Sequence, residues 1–145
     1  MIRIRPSLPG DTWLIKSDLR QAEIDELAAL GYTCEECLAL GLASGDALTV
    51  FINDEPMAMV GVSDGVLWGV FTRAIDRHPL AFLRASRAFV TSLPEVVNYV
   101  DARNEKAVRW FRWLGFEVSE PVPYGHNGAM FHRFTNARER IAEAA

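Results

Sequence analysis

Residues 104–116 read NEKAVRWFRWLGF, and this stretch decides the fold of the chain. Its apolar residues recur at helical spacing, which predicts a helix beginning just after Asn104. Asparagine commonly caps the start of a helix, and Gly115 stands where a glycine commonly ends one. Ala107 permits close packing, and Phe111 lies four residues further along the same face. The stretch therefore predicts a short helix that turns sharply into a strand.

The flanking sequence predicts strands and helices on both sides of this motif. Alternating residues predict a strand over Ile2–Pro6, and the segment 11–42 predicts two or three short helices. Further along the chain we predict strands over 46–52, 57–62 and 66–72, a turn over 53–56, a helix over 76–93, a strand over 96–100, a helix over 105–114, a strand beginning at 116, a loop over 120–128 and a last strand over 129–134. This order predicts an α/β fold with a central mixed sheet flanked by helices. We expect one domain over 1–135 and a C-terminal tail over 136–145, either a frayed helix or an interaction tail.

Composition limits the classes of function. The chain has 145 residues, of which 50% are hydrophobic, enough for one core. Its net charge of −4 lacks the positive field of proteins that coat nucleic acid, so we expect no general nucleic-acid binding. The apolar runs are far shorter than the roughly 20 residues of a membrane span, and we expect an intracellular protein without one. Two cysteines exclude a disulfide framework.

The spacing of Asn104, Ala107, Phe111 and Gly115, directly after a strand, resembles the C-terminal half of the GNAT N-acetyltransferase superfamily. The resemblance implies a GNAT-like acyl-CoA N-acyltransferase fold with a mostly antiparallel central sheet. Shorter blocks resemble a smaller group within it: IRP at 4–6, EC at 36–37, WGVFT at 68–72 and VNYV at 97–100. Their order along the chain resembles a small GNAT-like family of short-tailed phages, known as internal virion proteins of the capsid core or as phage proteins of unknown function.

The resemblance implies where acetyl-CoA would bind. In the superfamily, the CoA pyrophosphate lies on backbone N–H groups of a glycine-containing loop between the fourth strand and the next helix. The corresponding segment here, TRAIDRHPLA at 72–81, has no glycine. Pro79 has no N–H to donate, and Asp76 places a carboxylate near the phosphates. The cofactor-binding residues implied are Phe71, Thr72, Arg73, Arg77, Asn104 and Phe111.

Basic residues leave cofactor binding open. Arg73 and Arg77 lie in the loop, and Arg84 and Arg87 follow on the helix. Their guanidinium groups could pair with a diphosphate and a 3′-phosphate. The alternative is a solvated helix face with ordinary loop charges.

The catalytic groups of the superfamily are also altered. Many relatives use a tyrosine at the position of Phe111 as the general acid, and phenylalanine has no proton to give. Tyr99 and Tyr124 could replace it, and we favour Tyr124 because Tyr99 belongs to a strand of the buried type. As general base we favour Asp101, at the end of the strand that borders the cleft, and its alternative role is a turn carboxylate before Asn104. The other conceivable bases are Glu55, His126 and His132.

The two cysteines have both a structural and a functional explanation. Cys34 and Cys37 form a C-x-x-C pair, typical of a redox pair or half a zinc site. No histidine has the spacing of a partner ligand, so we favour core packing and expect no metal.

Trp110 and Trp113 give one helix more apolar surface than a solvated helix needs, which predicts cover by a second subunit or a partner.

The sequence therefore favours a virion morphogenesis protein built on an acetyltransferase fold and catalytically degenerate. Its partners would be other phage proteins, in the host cytoplasm during assembly and then inside the virion. The alternative is an active acetyl-CoA-dependent N-acetyltransferase with an unknown amine acceptor. A third hypothesis is a factor that binds or modifies a host protein. The loop at 73–79 separates the first two, because pyrophosphate binding needs free N–H groups there.

Overall fold

A computed structural model describes residues 1–137. In chain order the elements are β1 (Ile2–Pro6), α1 (Asp11–Lys16), α2 (Gln21–Ala29), α3 (Cys34–Ala43), β2 (Leu48–Ile52), β3 (Glu55–Ser63), β4 (Val66–Phe71), α4 (Ala74–Arg77), α5 (Pro79–Thr91), β5 (Val97–Asp101), α6 (Glu105–Trp113), β6 (Glu117–Pro123), a 3-10 turn (His126–Gly128) and β7 (Met130–Thr135). The predicted order of strands and helices is confirmed. The predicted tail lies outside the described residues from position 138 onward.

The strands form one sheet in the order β1-β2-β3-β4-β5-β7-β6. All neighbours are antiparallel except β4 and β5, which are parallel. The predicted α/β fold with a mixed, mostly antiparallel sheet is therefore confirmed. Within the described part of the chain, no helix is long and apolar enough to cross a membrane.

Helices cover both faces of the sheet because successive residues of a strand point to opposite faces. Met59 of β3 packs in a cluster with Ile15 of α1 and Leu38 of α3. Its neighbours Ala58 and Val60 pack on the other face in a cluster that contains Phe82 of α5. A third cluster joins α6 to β5 and β7, with members Val96, Val100, Val108, Phe111, Phe116 and Phe134.

Two boundaries differ from the sequence prediction. The helix predicted over 76–93 is divided into α4 and α5, and Pro79 occupies the first turn of α5, where its missing N–H is tolerated. The loop predicted over 120–128 is shorter, because β6 continues to Pro123. Pro121 and Pro123 fit there because β6 is an edge strand with an irregular register between Val118 and Pro121.

A tryptophan joins α3 to the sheet. The indole of Trp68 lies between Gly41 of α3 and Gly61 of β3, and its Nε1 donates a hydrogen bond to Ser63 Oγ at 3.2 Å. A Cβ atom would lie 2.5 Å from the indole at Gly41 and 2.6 Å from it at Gly61. Both positions therefore require glycine for as long as the indole occupies this slot. A cavity of about 220 Å³ lies beside it.

Candidate functional site

The parallel strands β4 and β5 separate along their length. They pair only at Val66 and Val97, where the Val97 N–H donates to the Gly65 carbonyl at 3.0 Å. One residue later, Asn98 inserts its side chain between the strands and donates from Nδ2 to the Leu67 carbonyl at 2.7 Å. A side chain thus replaces the next backbone contact, and the strands then diverge.

The divergence leaves an opening between the carboxyl ends of β4 and β5, at Phe71 and Asp101, which we call the strand gap. In open α/β sheets, ligands bind outside the carboxyl ends of strands, at such discontinuities. The strand gap is therefore the candidate functional site. The residues implied by the sequence resemblance at 71–77 and at Asp101 lie at its two sides.

Helix α2 closes the strand gap with two glutamates one turn apart. The carboxylate of Glu23, which is 5% exposed, lies beside the backbone of Phe71. The Asp101 N–H donates to Glu26 Oε1 at 2.7 Å. From the segment before α2, the Arg20 N–H donates to the Phe71 carbonyl at 3.5 Å. The carbonyl of Phe71 that faces the gap is thus already bonded within the chain, and Glu23 covers the Phe71 backbone beside it.

Burial changes the protonation of both glutamates. It raises the pKa of Glu23 to about 8, and the charge of Glu26 raises it further while Arg20, 3.8 Å away, opposes the shift. Burial also raises the pKa of Glu26 to about 7, against the hydrogen bond from the Asp101 N–H. Near neutral pH the pair therefore carries fewer than two negative charges.

Neither glutamate is among the site residues predicted from the sequence. Glu23 shares a helix face with Leu27, four residues later, and both are buried, whereas Ile24 is 40% exposed. A carboxylate on the apolar face of a helix was the available signal.

The loop after β4 is held by a buried threonine. Thr72 is fully buried, and its Oγ1 donates to the Pro56 carbonyl at 2.6 Å. The same oxygen accepts a hydrogen bond from the Ala74 N–H at 3.2 Å, at the start of α4. The hydroxyl of Thr72 therefore stabilises the loop and is not directed toward a ligand.

Most charges near the loop neutralise one another. Arg77 pairs with Asp18 at 2.6 Å and with Glu55 at 3.1 Å. Glu55 also contacts His78, and this hydrogen bond is the main cause that lowers the pKa of Glu55. Arg73 is exposed, and within residues 1–137 its side chain has no carboxylate within 4.0 Å. Arg73 is thus the loop cation that remains available to an external anion.

Asp76 forms ion pairs with two cations from other parts of the chain. Its carboxylate accepts hydrogen bonds from Arg20, at 3.2 Å, and from Lys106. Burial alone would raise the pKa of Asp76, but these two cations outweigh it and the pKa lies below its usual value. Asp76 is therefore an anion at neutral pH.

The two predicted cofactor residues of α6 have structural contacts. Asn104 accepts a hydrogen bond from the Ala107 N–H at 3.4 Å and so caps the helix. Phe111 is 9% exposed and stacks on Phe134 with ring centroids 3.8 Å apart. The aromatic residue of α6 that reaches β4 is Trp110, whose ring centroid lies 5.9 Å from that of Phe71.

The predicted catalytic residues lie on the α2 side of β5. Asp101 is 2% exposed and accepts hydrogen bonds from the Arg103 side chain, the shortest at 2.6 Å, and from the Arg103 N–H at 2.9 Å. Tyr124 is half exposed and stacks on Tyr99, with ring centroids 3.6 Å apart. Asp101 thus also forms the turn contacts of its alternative role.

The other candidate bases have different surroundings. His126 lies in the exposed turn before β7, and His132 Nδ1 is 2.7 Å from the Ser119 carbonyl. A cavity of about 500 Å³ opens beside Asp101, between α2, the end of β5 and the turn before β7. Its lining includes Asp25, Asp101, Arg103, His126, Asn127 and Met130.

The two cysteines pack against the core cluster of α1 and α3. Burial raises the pKa of Cys37 to about 11 and also raises the pKa of Cys34. Both groups are free thiols in the structure. A thiol with so high a pKa is a poor nucleophile at neutral pH.

Solved structures share this fold. An acetyltransferase of the GNAT family from Streptococcus agalactiae superposes with a TM-score of 0.68 at 14% identity, covering 96% of each chain. The aminoglycoside N(6′) acetyltransferase of Legionella pneumophila gives 0.66 at 14% identity, covering 92% of this chain and 90% of its own. The enzyme AAC(6′)-Ib, solved with ribostamycin and coenzyme A, gives 0.64 at 16% identity and 99% of each chain.

The fold is therefore that of the GNAT acetyltransferases, as the sequence resemblance implied. No protein-family profile matches the chain, and no curated protein matches it. The identities to the solved structures establish the fold and leave the activity open.

Solved structures of this fold contain coenzyme A, and acetyl-CoA is the cofactor that the fold implies. In the described conformation, contacts within the chain occupy part of the strand gap where it would lie. The loop that would hold the pyrophosphate has no glycine, and Pro79 removes an N–H from the first turn of α5. The Arg20 N–H occupies the Phe71 carbonyl that faces the gap, and the buried Glu23 covers the backbone beside it. Binding would require both internal contacts to be replaced.

Proposed function

We propose that this chain uses an acetyltransferase fold without acetyl transfer, as a virion morphogenesis protein of a short-tailed phage. The observation that carries the catalytic part is the closed strand gap, in which the Arg20 N–H binds the Phe71 carbonyl and the buried Glu23 covers the Phe71 backbone. An enzyme that binds a thioester at the strand ends needs those groups free. The virion part rests on the sequence blocks at 4–6, 36–37, 68–72 and 97–100.

Two further observations support loss of catalysis. Phe111, at the position of the general acid of many relatives, is a core residue stacked on Phe134. Asp101 is engaged by Arg103 through three side-chain hydrogen bonds, so both of its oxygens have partners within the chain.

Calorimetric titration with acetyl-CoA tests the catalytic part. We expect no heat of binding at millimolar cofactor. A Kd in the micromolar range, about −8 kcal/mol, would refute it. The virion part is tested separately by quantitative mass spectrometry of purified particles of the phage that encodes the chain, and absence from the particles would refute that part alone.

The second candidate is an acetyl-CoA-dependent N-acetyltransferase. Two observations favour it: the strands separate at the position where the fold binds its cofactor, and AAC(6′)-Ib of the same fold is solved with coenzyme A. Phe71, Thr72, Arg73, Arg77, Asn104 and Phe111 would then border the cofactor, with Asp101 and Tyr124 as proton-transfer groups. The cofactor would supply the activated acetyl group.

The sharpest test of this candidate uses the one exposed loop arginine without an ion pair. If acetyl-CoA binds, Arg73→Ala should weaken binding about tenfold, because it removes one charge-assisted phosphate contact. Arg133→Ala, an exposed arginine on β7, is the matched control and should bind as the unmodified protein does. Equal loss in both variants would show that Arg73 is not a specific contact.

A further inference from the structure

The charges of the chain are unevenly distributed. The whole chain has a net charge of −4, yet α5 and α6 together carry five basic residues and one acidic residue. Helix α5 contains no acidic residue. These two helices therefore form a basic surface on an otherwise acidic protein.

The arginines of this surface are not neutralised within the described chain. Lys106 pairs with Asp76, but within residues 1–137 no carboxylate lies within 4.0 Å of the four arginines. These are Arg84, Arg87, Arg109 and Arg112. The loop arginine Arg77, by contrast, has two carboxylate partners. The four guanidinium groups can thus bind an external anion without breaking an internal ion pair.

The two helices contact each other through side chains, and one aromatic ring at this contact is exposed. Trp110 of α6 lies 5.2 Å from the Phe82 ring of α5 and donates from Nε1 to Ser86 Oγ at 3.2 Å. One turn further on, the Arg87 guanidinium lies 4.3 Å from the ring centroid of Trp113, which is 44% exposed. Arg109 lies four residues before Trp113, on the same helix face.

Trp110 is thus covered within the chain, whereas Trp113 is the exposed ring of the pair. The α5–α6 surface, defined as Arg84, Arg87, Arg109 and Trp113, combines guanidinium groups with an accessible indole. Arginine binds phosphate through parallel hydrogen bonds, and an indole stacks on bases. A purely acidic peptide would match the charge and leave the indole without a stacking partner.

We propose that the α5–α6 surface binds single-stranded nucleic acid, with phosphates on the arginines and a base on Trp113. Binding is confined to this surface, because the rest of the chain is acidic and repels phosphate. It does not depend on the strand gap or on acetyl-CoA.

The experiment measures fluorescence anisotropy of a labelled 20-nucleotide single-stranded DNA at 50 mM salt. The triple variant R84A/R87A/R109A should weaken binding at least tenfold, and Trp113→Ala should weaken it about fivefold through loss of stacking. The exposed Arg133→Ala is the matched control and should change the Kd less than twofold. With about three phosphate contacts, log K should fall with log salt at a slope of about −2. Circular dichroism checks that the variants fold.

Four results would overturn the proposal. The first is that the unmodified chain does not bind DNA, and the second is that Arg133→Ala weakens binding as much as the triple variant does. The third is that poly-L-glutamate binds as tightly as DNA, with the same sensitivity to the triple variant. The fourth is that micromolar coenzyme A abolishes DNA binding. The third would identify an acidic protein as the partner. The fourth would identify the phosphate site of a cofactor. The calorimetric test with acetyl-CoA stands apart, so failure of the proposed function is distinguishable from failure here.

Discussion

Replacing Glu23 by glutamine tests the structure of the strand gap most directly. Burial raises the pKa of Glu23 from the ordinary 4.5 to about 8, so the folded chain holds a proton that the unfolded chain releases. Each pH unit in this interval costs the folded state about 1.4 kcal/mol. The stabilisation linked to that proton is therefore fully present below pH 4.5 and is lost as pH rises toward 8.

The variant removes this cost and keeps the contact. A glutamine oxygen can still lie beside the Phe71 backbone, and the amide does not titrate. We expect the free energy of unfolding of Glu23→Gln to be similar to that of the unmodified chain near pH 4.5. At pH 7 the free energy of unfolding of the variant should exceed that of the unmodified chain by about 3 kcal/mol, and by less to the extent that the native state relaxes.

Urea unfolding, followed by far-ultraviolet circular dichroism at pH 4.5, 6, 7 and 8, measures the difference. Glu120→Gln is the matched control, because Glu120 is exposed on β6. It should give no difference that depends on pH. A constant difference between Glu23→Gln and the unmodified chain at all four pH values would refute the reasoning, and so would destabilisation at pH 7. The latter would mean that Glu23 is ionised and stabilised by Arg20.

Three further outcomes are expected. Gly41→Ala should lower the free energy of unfolding by about 1–3 kcal/mol, because its Cβ would lie 2.5 Å from the Trp68 indole; Trp68→Phe should relieve part of the loss, and a loss unchanged in the double variant would contradict this explanation. Arg103→Ala should destabilise by about 1–2 kcal/mol in thermal unfolding at pH 7, because it leaves the buried carboxylate of Asp101 without its cation; an unchanged melting temperature would count against it. Cys37, whose pKa is raised to about 11, should react with a thiol reagent at pH 8 at least tenfold more slowly in the folded chain than in urea, and equal rates would show that the thiol is accessible.

The sequence predicted the fold well because the fold depends on local patterns. The helix after Asn104 begins and ends where its cap and Gly115 indicate, and the hairpin between β3 and β4 turns at Asp64 and Gly65, which have positive φ. The division between α4 and α5 is not predicted, since Asp76 and Pro79 together indicate a single helix start, whereas Pro79 begins a second helix.

The site was less accessible to sequence reasoning. The absence of glycine in the loop could be read directly, and the structure adds that Arg77 is neutralised by Asp18, 59 residues away in sequence. Closure of the strand gap by Glu23 depends on how α2 packs on the ends of β4 and β5. No short-range pattern encodes such packing, because glutamates on helices are usually solvated.

The slot that holds Trp68 has an evolutionary consequence. Gly41, Gly61 and Trp68 lie on three different elements, and the indole has room only because the residue on each side of it is glycine. A larger residue at Gly41 or Gly61 can persist only together with a change at Trp68. The three positions should therefore vary together across descendants of this chain. A lineage that replaces the tryptophan by a small residue would release both glycines at once, and alanine or serine would then be expected at each.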